Sequence, residues 1–522
     1  MFMVFKYGID RLTVAKALAL ANGNLKGILT NEAISNITQS CSYVDEIVDK
    51  NKVVYGINTG FGPLCDTLIS ASDTAKLQHN LLMSHAVGVG EFVSTEISKI
   101  MLIIKLHALC LGYSGIRLST IERIHWFIEK DILPCVPAQG SVGASGDLAP
   151  LSHLFLPLIG LGNVYYKGRM SDTGDVLRQE NIEPLQLGPK EGLALINGTQ
   201  FIAAHAVHAL ARFHNALDAA DLIGAMSLEG LMGSSKPFDP RLHELRPFPG
   251  NRFVASRIWA LLAESEIIQS HVNCDRIQDP YSLRCIPQVH GASRTAWLHL
   301  KQLTEIELNS VTDNPVILGS LDTISGGNFH GQPLAIPLDY ATVAAAELGN
   351  ISDRRSYLII EGRYGLPKLL IKDAGLNSGF MIPQYTTAAL VSENKGLCFP
   401  ASADSIPTSL GQEDHVSMGS ISGRKLNKVI ENLEYILAIE LLYATQALDF
   451  RHPIRSTSVL EACHSFVRSQ VAYAEEDRIF STDIQHLKNL IASGKFVARA
   501  NEVALKYQIN LNDKDYEQFQ LS

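Results

Sequence analysis

The chain has 522 residues, 46% of them hydrophobic and 19% charged, which describes a globular protein with a large core and excludes a disordered or fibrous one. A formal net charge of −9 argues against nucleic acid or an anionic membrane surface as partner, since either calls for a basic face. Eight cysteines without a CxxC pair, the closest two being Cys274 and Cys285, do not form a disulfide framework and fit reduced thiols in a cytoplasmic protein.

The apolar start of the chain is interrupted by Lys6, too early for the core of a signal peptide, and no uncharged run reaches the roughly 20 residues of a membrane span. Lys52 to Tyr55 reads as a short strand entering the glycine-rich loop NTGFGP. Taken alone, Tyr55 is a packed aromatic before a turn. Ser84 and His85 follow in LLMSHAVGVG, and SKIMLIIKLHALCLGYSG predicts a helix stopped by Gly112 and Gly115. Next comes the loop VPAQGSVGASGDLAP. Its Gly140, Gly143 and Gly146 are not the dinucleotide GxGxxG, and Asp147, two after Ser145, rules out the hydrolase elbow GxSxG. Asn163 to Tyr166 predicts a strand turning at Lys167-Gly168.

Further along, LINGTQ carries Asn197 in an Asn-Gly that alone reads as a turn. QDPYSLRC carries Gln278, Tyr281 and Arg284, and GGNFHG carries Phe329. Small alanines mark a helix from Tyr340. After QEDHVSMG, with Glu413, a helix from Arg424 places Leu426, Val429, Ile430, Leu433 and Leu437 on a helical period and turns nearly apolar. Such a helix belongs inside a bundle or a subunit interface. The 17 histidines are scattered, so no metal site is expected. The chain is therefore mainly α with small β pieces, its glycine- and proline-rich loops being where catalytic groups tend to lie.

Taken in order, YGINTGFG, GSVGASGDLAP, LINGTQ, QDPYSLRC, GGNFHG and QEDHVSMG make residues 10 to 505 resemble the histidine/phenylalanine/tyrosine ammonia-lyase family. The resemblance implies a fumarase/aspartase-like long-helix bundle in residues 201–522. A smaller α/β-containing part, residues 1–200, would carry the active-site loops. It also implies that Ala144-Ser145-Gly146 cyclises to a 4-methylideneimidazol-5-one ring (MIO), with no metal or nucleotide required. In that closure the Gly146 amide nitrogen attacks the Ala144 carbonyl, which glycine's missing Cβ permits, and Ser145 loses its hydroxyl to become the methylidene. The product is an electrophile, which no ordinary side chain can be. Deamination needs one, because the β C–H of an amino acid is scarcely acidic and ammonia is a poor leaving group.

By the same resemblance Tyr55 is the base for the β proton, and Asn197 holds the ring-forming segment and the substrate's amino or carboxylate end. Arg284 pairs bidentately with the α-carboxylate, Tyr281 and Gln278 support the site, and Phe329 flanks the ring. Two places bear on the substrate. Ser84-His85 follows the histidine-type pattern, where phenylalanine lyases tend to carry Phe-Leu and tyrosine lyases often His-Leu. Glu413, in Gln412-Glu413-Asp414, stands where aryl lyases carry an amide. A carboxylate accepts an imidazole N–H, but against a phenyl ring it would be desolvated without a partner. The expected function is deamination of L-histidine to trans-urocanate and ammonia, opening histidine degradation. The expected assembly is a cytoplasmic homotetramer with active sites shared between subunits, binding a small amino acid and neither membrane nor nucleic acid. A tyrosine or phenylalanine ammonia-lyase and a 2,3-aminomutase are the alternatives within the family. Two departures from the histidine-type pattern are Gly419 to Gly423 and Phe248.

Overall fold

The computed structural model describes residues 4–50, 52–60, 62, 67, 69–70, 73–511 and 517–521. Eight helices position the site: α1 (Thr74–His85), α2 (Thr95–Cys110), α3 (Glu191–Ile196), α4 (Gln200–Gly230), α5 (Ile286–Glu307), α6 (Gln332–Ile360), α7 (Met381–Leu397) and α8 (Gly419–Asp449). The longest form a bundle: α4, α6 and α7 pack against α8, and α5 packs against α4 and α6. Every residue of α8 from Ile436 to Leu448 is buried, so the bundle of its own chain surrounds this stretch on all sides. That settles the choice between bundle and interface for the apolar half of α8.

A helix buried all round must satisfy its own charges. Glu440 does so through Arg355, whose Nε and Nη2 donate at 2.5 and 2.9 Å, and through the hydroxyls of Ser227 and Ser352. On α4 the buried alanines Ala203, Ala206, Ala209, Ala216 and Ala220 keep the helix slim where its neighbours approach. α6 begins eight residues before the expected Tyr340, because Pro333 lies in its first turn, where a missing N–H costs nothing.

The β structure is slight. β1 (Val4–Lys6) pairs in parallel with β2 (Lys26–Ile28). Antiparallel pairs join β3 (Val89–Phe92) to β5 (Pro137–Gln139), and β8 (Val316–Gly319) to β9 (Asp322–Ile324). β4 (Leu133–Pro134), β6 (Asn163–Tyr166) and β7 (Arg169–Asp172) form a three-stranded sheet. The expected hairpin is there: Tyr166 faces Arg169, and Lys167 and Gly168 turn with φ of 50° and 78°.

The expected strand over Lys52 to Tyr55 is not. Its β-branched residues find no ladder; the Asn58 side chain instead accepts from Val54 N (3.0 Å) and donates to Lys52 O (2.9 Å), closing a local turn. Val54 and Ile57 are buried in a small separate core with Val44, Ile47 and Ile317, which anchors the turn bearing Tyr55. Among the described residues no helix is long and apolar enough to cross a membrane, and the seven cysteines are free. Cys65 and Phe61 lie outside the described residues.

Candidate active site

The segment Gly143–Asp147 lies at the meeting of three elements. Met418 N, at the start of α8, donates to Val142 O at 3.0 Å, and Ser420 Oγ donates to Ser141 O at 2.6 Å. From the other side the turn between α3 and α4 presses in: Asp147 N donates to Gly198 O at 2.7 Å, and Gly146 and Gly198 form an isolated parallel bridge. The backbone is folded tightly there. Ser145 has φ of 49° and Gly146 of 84°, and a Cβ on Gly146 would lie 2.1 Å from Gly198 O. Only glycine fits that position.

Ser145 O receives two donors, Asn197 Nδ2 at 2.7 Å and the Gly198 N–H at 3.5 Å. Asn197 Oδ1 is buried without a partner among the described residues. The Asn197 carbonyl is held in turn by Lys105 Nζ of α2 at 2.6 Å. Asp147 anchors the far end of the turn, its Oδ2 accepting the Phe201 and Ile202 N–H groups at 2.9 and 3.0 Å in the first turn of α4. Burial raises the Asp147 carboxyl to about 7, against the lowering effect of those two N–H groups.

Ser145 Oγ donates to Glu413 Oε1 at 2.8 Å. The other carboxylate oxygen, Oε2, accepts from Ser409 Oγ at 2.6 Å and Thr408 Oγ1 at 3.1 Å. Glu413 thus reaches the tripeptide from a loop 268 positions away in sequence. His85 is the last residue of α1, with Ser84 Oγ 3.0 Å from its Nδ1. Burial lowers its pKa, partly offset by the Leu81 carbonyl and the Glu413 charge, so the ring is neutral at neutral pH.

These groups share one cavity of about 790 Å³, lined by Tyr55, His85, Ser145, Asn197, Phe329 and Glu413 among others. Ala144 is half-buried beside Ser145. Tyr55 OH accepts the Gly62 N–H at 3.3 Å. The loop bearing Phe329 is tied at both ends, by Gly326 N to Asn314 Oδ1 at 2.7 Å and by a His330–His415 contact of 3.2 Å.

The remaining expected residues lie elsewhere. Tyr281, Gln278 and Arg284 do not line this cavity; Tyr281 is 71% exposed on an outer groove that it shares with Cys285, Glu347 and Arg354. Arg284 stacks 4.7 Å over the Tyr281 ring, and its buried Nε has no partner among the described residues. No lysine or arginine lines the cavity among the described residues of this single chain. The sequence reading passed over Lys105, Thr408 and Ser409, and gave Asp147 no role in the site. Only Lys105 left a signal, a lone charge inside the apolar run IMLIIKLHALC. No cluster of three metal-ligating side chains occurs among the described residues.

The sequence and fold have clear counterparts. Residues 12–469 match the family model described as aromatic amino acid lyase. A histidine ammonia-lyase of Natranaerobius thermophilus is 46% identical over 473 residues, 90% of this chain and 93% of that protein. The crystal structure of histidine ammonia-lyase from Trypanosoma cruzi superposes with a TM-score of 0.90 at 40% identity, covering 99% of this chain and 97% of that one. Tyrosine aminomutase from Streptomyces globisporus gives 0.91 at 33% identity, over 96% and 99%. A match over most of the chain, a shared long-helix bundle and the clamped Ala144-Ser145-Gly146 segment agree: the chain belongs to the aromatic amino acid lyase family, a family of carbon–nitrogen lyases.

Proposed function

We propose that the protein deaminates L-histidine without oxidation, giving trans-urocanate and ammonia as the first step of histidine degradation. The observation that carries this reading is the Glu413 carboxylate held 2.8 Å from the Ser145 hydroxyl, in the cavity that also contains His85. The residues fit an MIO group formed from Ala144-Ser145-Gly146. Gly146 has no room for a side chain, Ser145 is held at φ 49°, and Asn197 aims a donor at Ser145 O while its own buried Oδ1 stays unpaired.

Once formed, that group supplies an electrophilic carbon for the substrate nitrogen. The chain's own residues do the rest. Asn197 and the Gly198 N–H hold Ser145 O, where charge gathers when a nucleophile adds. Loss of the Ser145 hydroxyl frees Glu413 Oε1, which then accepts an imidazole N–H, while Thr408 and Ser409 keep Oε2 in place. His85 meets the second imidazole nitrogen, and Tyr55 takes the β proton. Phe329 covers the reacting face.

A carboxylate substrate still needs a cation. Arg284 of the partner subunit supplies it in a homotetramer, with Tyr281 and Gln278 from the same outer face. Support comes from the exposed position of that face and from a cavity without lysine or arginine among its described lining. The compartment proposed is the cytoplasm.

The 46% identity to a histidine ammonia-lyase favours histidine over other amino acids, as does Glu413. The likeness to a tyrosine aminomutase keeps a second reading in play, in which ammonia returns to the β carbon. Separate incubations with histidine, tyrosine and phenylalanine distinguish the two. Urocanate absorbance with histidine is expected; coumarate, cinnamate or a β-amino acid in its place would sink the histidine reading.

A further inference from the structure

Lys105 has no role in the chemistry described so far, and its position is costly. It lies in α2 between Ile104 and Leu106 and is 1% exposed. Burying an ammonium costs several kcal/mol unless something specific compensates it. Lys190 shows the ordinary solution nearby: its ammonium sits 2.7 Å from the Asp313 carboxylate, a closed ion pair. Lys105 differs, since its Nζ donates at 2.6 Å to a neutral acceptor, the backbone oxygen of Asn197.

That oxygen has a particular connection. The Asn197 carbonyl and the Gly198 N–H belong to one peptide unit, and the N–H end faces Ser145 O. The Asn197 side chain, on the same residue, supplies the second donor to Ser145 O at 2.7 Å. A cation on a peptide oxygen draws electron density toward itself and strengthens the N–H at the other end as a donor. It also fixes Asn197, whose side chain is one donor and whose carbonyl shares a peptide unit with the other.

We propose that Lys105 is a positioning residue for the electrophile, its ammonium acting through the Asn197–Gly198 peptide to fix both donors on Ser145 O and to polarise the Gly198 N–H. The inference rests on the ring reading given under Proposed function. Ser145 O is the oxygen toward which electrons move when a nucleophile bonds to the former Ser145 Cβ, so donors there lower the barrier to addition. Burial lowers the Lys105 ammonium to about 8, and the Asp313 and Asp147 carboxylates oppose this while Lys190 adds to it. The charged form is thus kept at neutral pH.

Three variants separate charge, hydrogen bond and bulk: Lys105→Arg keeps the charge and a donor, Lys105→Gln keeps a donor only, and Lys105→Met keeps neither. The readouts are intact mass, melting temperature, kcat with KM, and the rate of cyanide addition followed by mass. In that addition the cyanide carbon bonds to the former Ser145 Cβ, the double-bond pair moves toward Ser145 O, and a solvent proton completes an adduct heavier by one hydrogen cyanide. The Arg variant is expected to add cyanide close to the parent rate, and the Gln and Met variants about tenfold slower or more. Their kcat should fall with KM little changed.

A neutral variant that melts with the parent but keeps its full sequence mass supports the same role, exercised at ring closure. Should the Met variant fail to fold, the comparison of Gln with Arg decides. Parent-like cyanide rates in the Gln variant, or an Arg variant as impaired as Met, would overturn the inference. A parent protein of full sequence mass contradicts the ring reading instead, so the two failures are distinct.

Discussion

Glu413 divides its two oxygens between two tasks. Oε2 is fixed by Thr408 and Ser409, and Oε1 faces the Ser145 hydroxyl that the proposed ring closure would remove. Replacing it with glutamine keeps the shape and removes the charge. Charge-assisted hydrogen bonds are worth about 1.5–3 kcal/mol, so Glu413→Gln should lower kcat/KM for histidine by about 10- to 100-fold. Activity on phenylalanine should fall less or rise, and equal losses on both would contradict the recognition role. At this scale the sequence was most legible where a family motif marked the residue, as at Ser145, Asn197 and Glu413. It was silent on Thr408 and Ser409, which matter only because a loop turns them onto a carboxylate that composition cannot foresee. Lys105 left a signal that the sequence reading passed over, a lone charge in an apolar run, and its purpose needed the geometry of Asn197.

A buried carboxylate lies near each end of α4, Asp147 on the loop that meets its start and Glu229 within it. Burial raises both to about 7, but the helix dipole acts on them in opposite senses. Asp147 faces the helix N-terminus, where the backbone N–H groups and the dipole welcome a negative charge. Glu229 lies one residue from the C-terminal end, where the dipole opposes one. Burial raises its pKa from 4.5 to about 7, although the Ser265 and Ser456 hydroxyls pull it down; Glu461 pushes it up.

Between those two values the unfolded chain gives up a proton that the folded chain keeps. This group therefore costs stability as pH rises through that window, up to about 3 kcal/mol. Glu229→Gln should remove that slope, with its denaturant midpoint gaining on the parent from about pH 4.5 to 7 and level beyond. Parallel curves for the two proteins would refute the assignment. Among elements, the long helices were readable because burial on most sides leaves an apolar 3.6-residue pattern, as along α8. The strand expected at Lys52 to Tyr55 failed because β-branched composition cannot show that a partner strand is missing, or that Asn58 closes the backbone on itself.

For the whole molecule the unresolved demand is a cation. One chain brings Tyr55, His85, Ser145, Asn197, Phe329 and Glu413 to a single cavity and leaves Arg284 beside Tyr281 on an outer groove. A shared site makes a definite prediction. Tyr55→Phe and Arg284→Ala should each be inactive alone, yet co-expressed they should regain roughly a quarter of parental activity, since random mixing gives that share of sites neither lesion. No recovery in mixed oligomers would place both residues in the same subunit's site. Assembly of this kind is not legible in hydrophobicity, because an apolar helix such as α8 can be buried by its own chain, as it is here.

The proposed chemistry depends on Ala144-Ser145-Gly146 closing into an electrophile. Intact-protein mass tests it directly: the purified parent should be lighter than its sequence by two waters, and Ser145→Ala, folded but inactive, should keep its full sequence mass. A parent of full sequence mass that still released ammonia from histidine would contradict the account.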